Sequence, residues 1–296
     1  MKSIRESAGM RLAVLFGSFF ILLLLTSVLT TLINGLPLGG DRNHALISSA
    51  VQCILAFCLP AIILAKFSSD NWRNWLKLTK APSLKAINGV ILVYIISMPA
   101  MEWLIEWNSN LHLPASMASL EPTLRSWEES SQAISDTLLA AHGFIPVLVG
   151  VLVIGVLTGF SEELFFRGGL QGILTRSSIG TGTAVWLAAL IFSAMHFQFF
   201  GFFPRLLMGV FFGYLLVWTQ SIWVPMFAHI LNNSIVVITS ALTGQSEQNI
   251  WGEGNTINFF GMPVYIIGSF VLTALFLMVC RDSFFKRSGK KSLIFF

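Results

Sequence analysis

Two adjacent glutamates, Glu162 and Glu163, stand in an otherwise apolar stretch of the sequence, and Arg167 follows four residues after the second. A charge at the centre of a bilayer costs at least about 2.5–3.5 kcal/mol, so ionisable residues in such a stretch indicate a functional site. Residues four apart share one face of a helix, which predicts a Glu163–Arg167 pair and leaves Glu162 about 100° away around the helix. An unpaired carboxylate that burial makes more basic can accept a proton from water.

Two further motifs place histidines in apolar stretches downstream. Phe192-x-x-x-His196 and His229-x-x-x-Asn233 each put both of their residues on one helix face. Counting along the helices places Glu162 and His196 at about the same depth in the membrane, whereas His229 lies nearer the end of its helix. Either that helix starts below the membrane surface or its entry is re-entrant, which is tolerated where irregular backbone lines a cavity.

Each motif taken alone favours a structural role. A buried glutamate–arginine pair can act as a clamp, and a single histidine or asparagine in a membrane helix commonly hydrogen-bonds to a neighbouring helix. The three motifs together, on three separate helices in this order, are poorly explained by chance and instead indicate a shared site.

The composition predicts a single all-α domain in a membrane. Of the 296 residues, 55% are hydrophobic and only 11% are charged, against about 25% charged residues in a soluble domain. The net charge of +4 does not indicate a nucleic-acid partner, because the basic residues cluster at the chain ends and in one loop, as the positive-inside rule requires.

The apolar stretches predict a polytopic membrane helical bundle with about eight transmembrane helices. A helix needs about 20 apolar residues to cross a bilayer. The predicted spans are 11–33, 45–66, 86–104, 147–173, 184–202, 205–220, 225–243 and 262–280.

The charge distribution also predicts an orientation. Basic residues concentrate before residue 12, in the loop 66–85 and in the segment 281–291, so both termini of this multi-pass protein are predicted to be cytoplasmic. Composition, layout and analogy favour a bacterial cytoplasmic membrane, and a eukaryotic endoplasmic reticulum is the alternative. The acidic stretch 105–146 would lie on the opposite side, either as a plain loop or with an amphipathic helix at about 115–141.

The three motifs, in type, spacing and order, resemble those of the CPBP family of intramembrane endopeptidases, the CAAX-protease and bacteriocin-processing family that is also called Abi. The motifs that carry the resemblance are Glu162-Glu163-x-x-x-Arg167, Phe192-x-x-x-His196 and His229-x-x-x-Asn233. They cover about a quarter of the chain, residues 158–235, and the first 140 residues resemble no family we can name.

The resemblance implies endoproteolysis near or within the membrane, with a peptide or a membrane-associated protein as substrate and the lipid bilayer as surroundings. By position, Glu162 would be the general base that activates a water molecule, assisted by His196. His229 and Asn233 would hold the oxyanion of the tetrahedral intermediate. The residues that would orient the site are Glu163 and Arg167.

The resemblance leaves the catalytic type, glutamic or metallo, open. If zinc is present, Glu162, His196 and His229 would be its ligands, with a fourth position open. No His-Glu-x-x-His motif occurs, and a free carboxylate needs no ion, so the sequence favours a site without a cofactor.

Two alternatives to an enzyme are a membrane immunity or regulatory protein that keeps the polar cluster as a structural clamp, and a transporter that uses the buried charges as a proton relay. The predicted organisation has three parts. They are membrane spans with an external or interfacial loop (1–140), a catalytic core (141–281) and a basic cytoplasmic tail (282–296).

Overall fold

The computed structural model describes residues 7–244 and 263–280, so the predicted tail 282–296 lies outside the described residues. Within the described ranges the chain is a bundle of helices without a β-strand. The longer helices are α1 (Ala8–Asn34), α2 (Asp41–Ser68), α3 (Leu84–Ser109), α4 (Glu121–Leu139), α5 (Phe144–Leu174), α6 (Thr181–Ala194), α7 (Phe202–Thr219), α8 (Trp223–Thr243) and α9 (Pro263–Cys280). Short helical turns cover Trp72–Trp75, Ala115–Leu120 and Phe199–Gly201.

The fold prediction of a polytopic helical bundle is confirmed. Six helices of the described chain are long and apolar enough to cross a membrane: α1, α2, α3, α5, α7 with the turn before it, and α8. Helices α6 and α9 are apolar but shorter. The number of eight spans therefore stays a prediction.

The predicted span 184–202 is wrong at its end. Helix α6 stops at Ala194, and the chain turns before α7 begins at Phe202. Phe197 in this turn has a φ of +55°, a conformation that a helix cannot continue through. The Ser193 hydroxyl donates a hydrogen bond of 2.7 Å to the carbonyl of Phe202, which ties the end of α6 to the start of α7.

Helix α4 realises the amphipathic helix predicted in the acidic stretch. It packs on the turn between α6 and α7, because the buried carboxylate of Glu128 accepts hydrogen bonds of 3.2 Å from the backbone N–H of Phe200 and from Gln198. Burial raises the pKa of Glu128, and these donors oppose the rise. The stretch is thus not a plain loop, while its place at a membrane surface stays a prediction.

The two residues before α8 are buried inside the protein, whereas Trp223, the first residue of the helix, is 37% exposed. Ser221 and Ile222 are at most 1% exposed, and the backbone N–H of Ile222 donates to the carbonyl of Lys77 at 3.3 Å. The connection between α2 and α3 therefore covers this helix end. Both explanations for the depth of His229 in the membrane stay predictions.

Helices α5 and α8 approach closely at two glycines. A methyl group on Gly155 would lie 2.4 Å from the hydroxyl of Ser234, and one on Gly159 would lie 2.9 Å from the side chain of Ile230 and 3.0 Å from its backbone nitrogen. Small residues four apart are a common contact surface between membrane helices. These two glycines set the distance between the helices that carry Glu162 and His229.

An aromatic cluster joins the N-terminal helices to α5. The ring of Phe165 lies 5.2 Å from that of Phe19 on α1 and 5.5 Å from that of Phe57 on α2. Phe166 contacts Phe165 and Phe57 in turn. The helices before residue 140 thus pack directly on α5, and the predicted division at that residue stays a prediction.

Replacing Gly159 by alanine is expected to destabilise the protein. The new methyl group would overlap Ile230, and overpacking of this kind costs about 1–3 kcal/mol. Gly17 is the matched control, since a methyl group there meets no atom within 4 Å, and alanine is the better helix former. Thermal unfolding in detergent should show a lower midpoint for Gly159→Ala and no decrease for Gly17→Ala. Equal midpoints would contradict the close contact.

The carboxylate of Glu121 is expected to make stability depend on pH. It accepts hydrogen bonds from the backbone N–H of Leu113 and from His112 and Arg125, and these lower its pKa from 4.5 to about 2, the backbone bond most. A lowered pKa stabilises the fold above pH 4.5, and this contribution disappears as the pH falls towards 2.

The unfolding midpoint of Glu121→Gln should thus fall below wild type at neutral pH and converge with it near pH 2. Glu129→Gln, an exposed position on the same helix, serves as control and should follow the wild-type curve.

Candidate active site

Helix α5 changes its winding where it carries the polar residues. Residues Leu164–Gln171 form a π-helical segment that is buried throughout. Glu163 directly precedes this segment, and Arg167 and Gln171 lie within it. Each of the three is at most 1% exposed. Segments of π-helix inside α-helices frequently mark functional sites, because they redirect side chains relative to the regular winding.

Glu163 and Arg167 form a buried ion pair, as their spacing predicts. Arg167 Nη1 lies 3.0 Å from Glu163 Oε1, and Arg167 Nη2 donates a 3.0 Å hydrogen bond to the carbonyl of Gly209 on α7. The guanidinium also lies over the rings of Phe192 and Phe212, 4.6 and 5.4 Å from their centroids. The pair therefore connects α5 to both α6 and α7.

His229 lies between the two glutamates. Its Nδ1 is 3.0 Å from Glu163 Oε1, and its Nε2 is 3.8 Å from Glu162 Oε2. The ring stacks on Phe212 at 5.1 Å and meets the edge of Phe192 at 6.0 Å. The Glu163 carboxylate is paired with Arg167 and can only accept a hydrogen bond, so Nδ1 of His229 carries a proton and donates it. Nε2 of the same ring points towards Glu162.

His196 occupies the turn after α6. Its Nδ1 lies 2.8 Å from the carbonyl of Phe192, and because a carbonyl only accepts, Nδ1 is the donor and Nε2 of the neutral ring is left with its lone pair. The next residue, Phe197, has the positive φ noted above. Non-glycine residues in that conformation are strained by about 1–3 kcal/mol and cluster at functional sites.

Glu162 and His196 line a common cavity of about 310 Å³. Gln198 lines it from the same turn as His196, and Ser131 and Ile134 line it from helix α4. Glu162 Oε2 is buried and has no hydrogen-bond partner among the described residues, and it lies 3.8 Å from Nε2 of His229. The structure thus brings the predicted base and its predicted partner to one cavity.

Asn233 contacts α5 instead. Its Nδ2 donates a 3.2 Å hydrogen bond to the carbonyl of Ile154, and its Oδ1 accepts a 3.1 Å bond from Asn232. One N–H of the Asn233 amide remains for another acceptor, because the group has two. Its assignment as an oxyanion donor stays a prediction.

A larger groove of about 490 Å³ lies beside the start of α8. Its lining includes Leu78, Pro82, Phe160 and Trp223, and no side chain in it is ionisable. The chemistry that the sequence predicts therefore belongs to the smaller cavity.

Several residues that build the site were missed by the sequence reasoning. Gln171 donates a 3.0 Å hydrogen bond to the carbonyl of Gly213, one turn beyond the bond from Arg167 to Gly209. Its position four residues after Arg167 was a signal for this role. The spacing Gly155-x-x-x-Gly159 was a signal for helix packing. The contribution of Phe212 had no signal, because it depends on where α7 lies.

The donor set named for zinc does not converge in this arrangement. Within the described residues, no three histidine, cysteine, aspartate or glutamate side chains are grouped so that they could hold a metal ion. Nδ1 of His229 and Nδ1 of His196 are engaged by Glu163 and a carbonyl, which leaves Nε2 of each ring for an ion. The predicted preference for a site without a cofactor stays a prediction.

Comparison with known proteins places the site within a recognised domain. Residues 144–235 match the family model described as Type II CAAX prenyl endopeptidase Rce1-like. This segment fits the CPBP family. The predicted resemblance is confirmed, and the match contains all three motifs and the helices α5 to α7 with the start of α8.

Two proteins of Bacillus subtilis (strain 168) are similar to parts of the chain. The one named "Uncharacterized protein YpbD" is 32% identical over 89 residues, 29% of this chain and 42% of the relative. The one named "Putative membrane peptidase YdiL" is 31% identical over 110 residues, 37% of this chain and 42% of the relative. The chain thus spans about two fifths of the length of each of these curated relatives. No solved structure matches it.

Removing Arg167 is expected to destabilise the protein strongly. Arg167→Met would leave the carboxylate of Glu163 buried without its counter-charge, at a cost of about 3–5 kcal/mol. The double variant Glu163→Gln with Arg167→Met removes both charges and should recover part of the loss. Unfolding in detergent would measure both variants.

The matched control is the second glutamate–arginine pair with the same spacing, Glu121–Arg125, whose arginine side chain is 38% exposed. Exposed pairs contribute about 0–1 kcal/mol, and Arg125 also donates to the carbonyl of Leu111 and lies over the ring of Phe200, so Arg125→Met should lower the midpoint, but less than Arg167→Met. An equal effect of both arginine substitutions would contradict the importance of the buried pair.

Proposed function

We propose that this protein is an intramembrane endopeptidase in which Glu162 activates a water molecule to hydrolyse a peptide bond. The observation that supports this most directly is the division between the two glutamates. Glu163 is 0% exposed, and its Oε1 lies 3.0 Å from both Arg167 and His229, whereas Glu162 lines a cavity that His196 also lines. The match to an endopeptidase family model and a relative named as a membrane peptidase support the same class of reaction.

In the first step, a water molecule held by Glu162 attacks the carbonyl carbon of the substrate. The water gives its proton to the Glu162 carboxylate, and the neutral His196 accepts a hydrogen bond from the water at Nε2 and aligns it. Positioned proton transfer of this kind contributes about 10²–10⁴-fold to a rate.

The oxyanion that forms is bound by donors from α8. His229, protonated at both nitrogens, donates from Nε2, and its charge is stabilised by Glu163 at Nδ1. The second N–H of the Asn233 amide is the other donor. Loss of one such donor costs about 10²–10³ in rate, or about 2.7–4 kcal/mol.

In the last step, the tetrahedral intermediate collapses. The carbon–nitrogen bond breaks, and the proton that Glu162 took from water goes to the leaving amine. The products are a new carboxyl terminus and a new amino terminus, and Glu162 returns to its ionised form. The reaction therefore consumes one water and needs no other co-reactant.

The substrate is a peptide or a membrane-associated protein, and the protein works in the cytoplasmic membrane with both termini on the cytoplasmic side. The lining of the cavity supports the choice of substrate. It combines the polar side chains of Glu162 and His196 with the apolar side chains of Phe57 and Phe166 inside a helical bundle.

Glu162→Gln is expected to abolish the activity without unfolding the protein. The substitution keeps the shape of the side chain and removes the proton acceptor, so about 10²–10⁴-fold of the rate should be lost. The measurement compares the peptide termini in membranes and medium of cells that carry the wild type or the variant. Termini that depend on the protein should vanish with Glu162→Gln.

Glu129→Gln on α4 is the control and should leave those termini unchanged. Equal expression and equal unfolding midpoints show that both variants fold. A phenotype that persists in the folded Glu162→Gln protein would favour the non-enzymatic membrane factor instead. Metal analysis of the purified wild type decides between the glutamic and the metallo type.

A further inference from the structure

At one end of the helical bundle, the segments that connect the helices are hydrogen-bonded to one another, and several of them carry basic residues. Arg176 Nη2 donates a 3.0 Å hydrogen bond to the carbonyl of Trp75, and the N–H of Ile222 donates to the carbonyl of Lys77. Three connections between helices therefore meet here. We call this the basic end, and it consists of residues 69–83, 175–180 and 220–222.

The opposite end is built around α4. Glu128 on α4 accepts the backbone N–H of Phe200 in the turn before α7. Arg42, at the start of α2, donates 3.0 Å hydrogen bonds to the carbonyls of Leu138 and Pro146 on either side of the connection from α4 to α5. We call this the acidic end, and it consists of residues 35–40, 110–143 and 195–201.

The two ends differ in their number of positive charges. In the connection between α2 and α3, and directly beside it, the chain carries Lys66, Arg73, Lys77, Lys80 and Lys85. Arg11 and Arg176 add two more at this end, giving seven. Within the described residues, the lysines and arginines at the acidic end or beside it number three: Arg42, Arg125 and Arg205.

This asymmetry orients the bundle. Short connections rich in lysine and arginine stay on the cytoplasmic side, and the bias in these residues decides the orientation, while acidic residues contribute little. The basic end is therefore cytoplasmic and the acidic end faces the other side of the membrane.

The cavity with Glu162 and His196 lies beneath the acidic end. Ser131 and Ile134 of α4 form its roof, and Gln198 belongs to the turn at this end. No residue that lines the cavity comes from the three connections of the basic end. The catalytic groups are thus reached from the side of α4.

The rim of this cavity is apolar and accessible. Ile134, which lines the cavity, is 60% exposed, and Phe197, directly after His196, is 66% exposed. The ring of Phe197 meets the edge of Trp127 on α4 at 6.2 Å. Exposed aromatic and aliphatic side chains beside a small polar cavity suit an extended polypeptide with apolar side chains.

We propose that the site acts on the extracytoplasmic side, and that its substrate is a polypeptide segment presented at the outer surface of the membrane which enters beneath α4. The proposal rests on the function proposed above for its substrate, but its statement about the side of the membrane stands on the charges and the position of the cavity alone.

Cysteine labelling on the full chain in intact bacterial cells tests the side of the membrane. Cys53, Cys58 and Cys280 are replaced by alanine, and a single cysteine is introduced as Ser130→Cys on α4 or as Ser178→Cys at the basic end. Both serines are exposed, so the two introduced cysteines are comparable in their accessibility to a probe. The probe is a membrane-impermeant maleimide, applied before and after permeabilisation.

Ser130→Cys should react fully in intact cells, and Ser178→Cys should react several-fold more after permeabilisation than before. The reverse pattern, or a Ser130→Cys that reacts only in permeabilised cells, would overturn the proposal. If the cysteine-free chain does not fold, the same variants are labelled in the chain with its native cysteines, and the unsubstituted chain gives the background.

The comparison of peptide termini then tests the substrate. Termini that disappear with Glu162→Gln should map to segments outside the cytoplasm, and termini in cytoplasmic segments would overturn the proposed substrate. Unchanged termini would refute the endopeptidase function, while the labelling result would still decide which side of the membrane the cavity faces.

Discussion

A single buried ion pair, Glu163 with Arg167, constrains most of the candidate site. Two charges that have left water must satisfy one another and their remaining donors and acceptors within the protein, or the fold loses several kcal/mol. Arg167 therefore reaches the carbonyl of Gly209 on α7 and lies over Phe192 on α6, and Glu163 holds Nδ1 of His229 on α8. The need to compensate one pair of charges thus brings four helices together.

The adjacent glutamate, Glu162, is not part of this ion pair because of its position on the helix. Glu162 lies about 100° around the helix from Glu163, so it faces the cavity while its neighbour faces the bundle. Its side chain is 12% exposed, against 0% for Glu163. The first glutamate thus lines the cavity, and the second holds the histidine of α8.

Close packing and an interrupted helix complete the geometry. Gly159 lets α8 approach α5 until Ile230 touches its backbone, which places His229 within reach of both glutamates. The early end of α6 at Ala194 turns His196 into the cavity, and Glu128 of α4 fixes the turn that follows. Helix α4 therefore belongs to the candidate site, because it supports the turn that carries His196 and contributes Ser131 and Ile134 to the lining of the cavity.

The sequence alone determined the membrane bundle, the motifs and the Glu163–Arg167 pair. Hydrophobicity and helical spacing depend on residues that are close in the chain, so they can be read without knowing the tertiary structure. The sequence could not find the hydrogen bond from Ile222 to Lys77, by which the connection 69–83 contacts the chain just before α8. Nor could it find the early end of α6, since 184–202 is largely apolar, or the role of Glu128, whose partner Phe200 is 72 residues away. These features were decided by the tertiary structure, because each is a contact between segments distant in the chain, whose partners are fixed only when the helices pack.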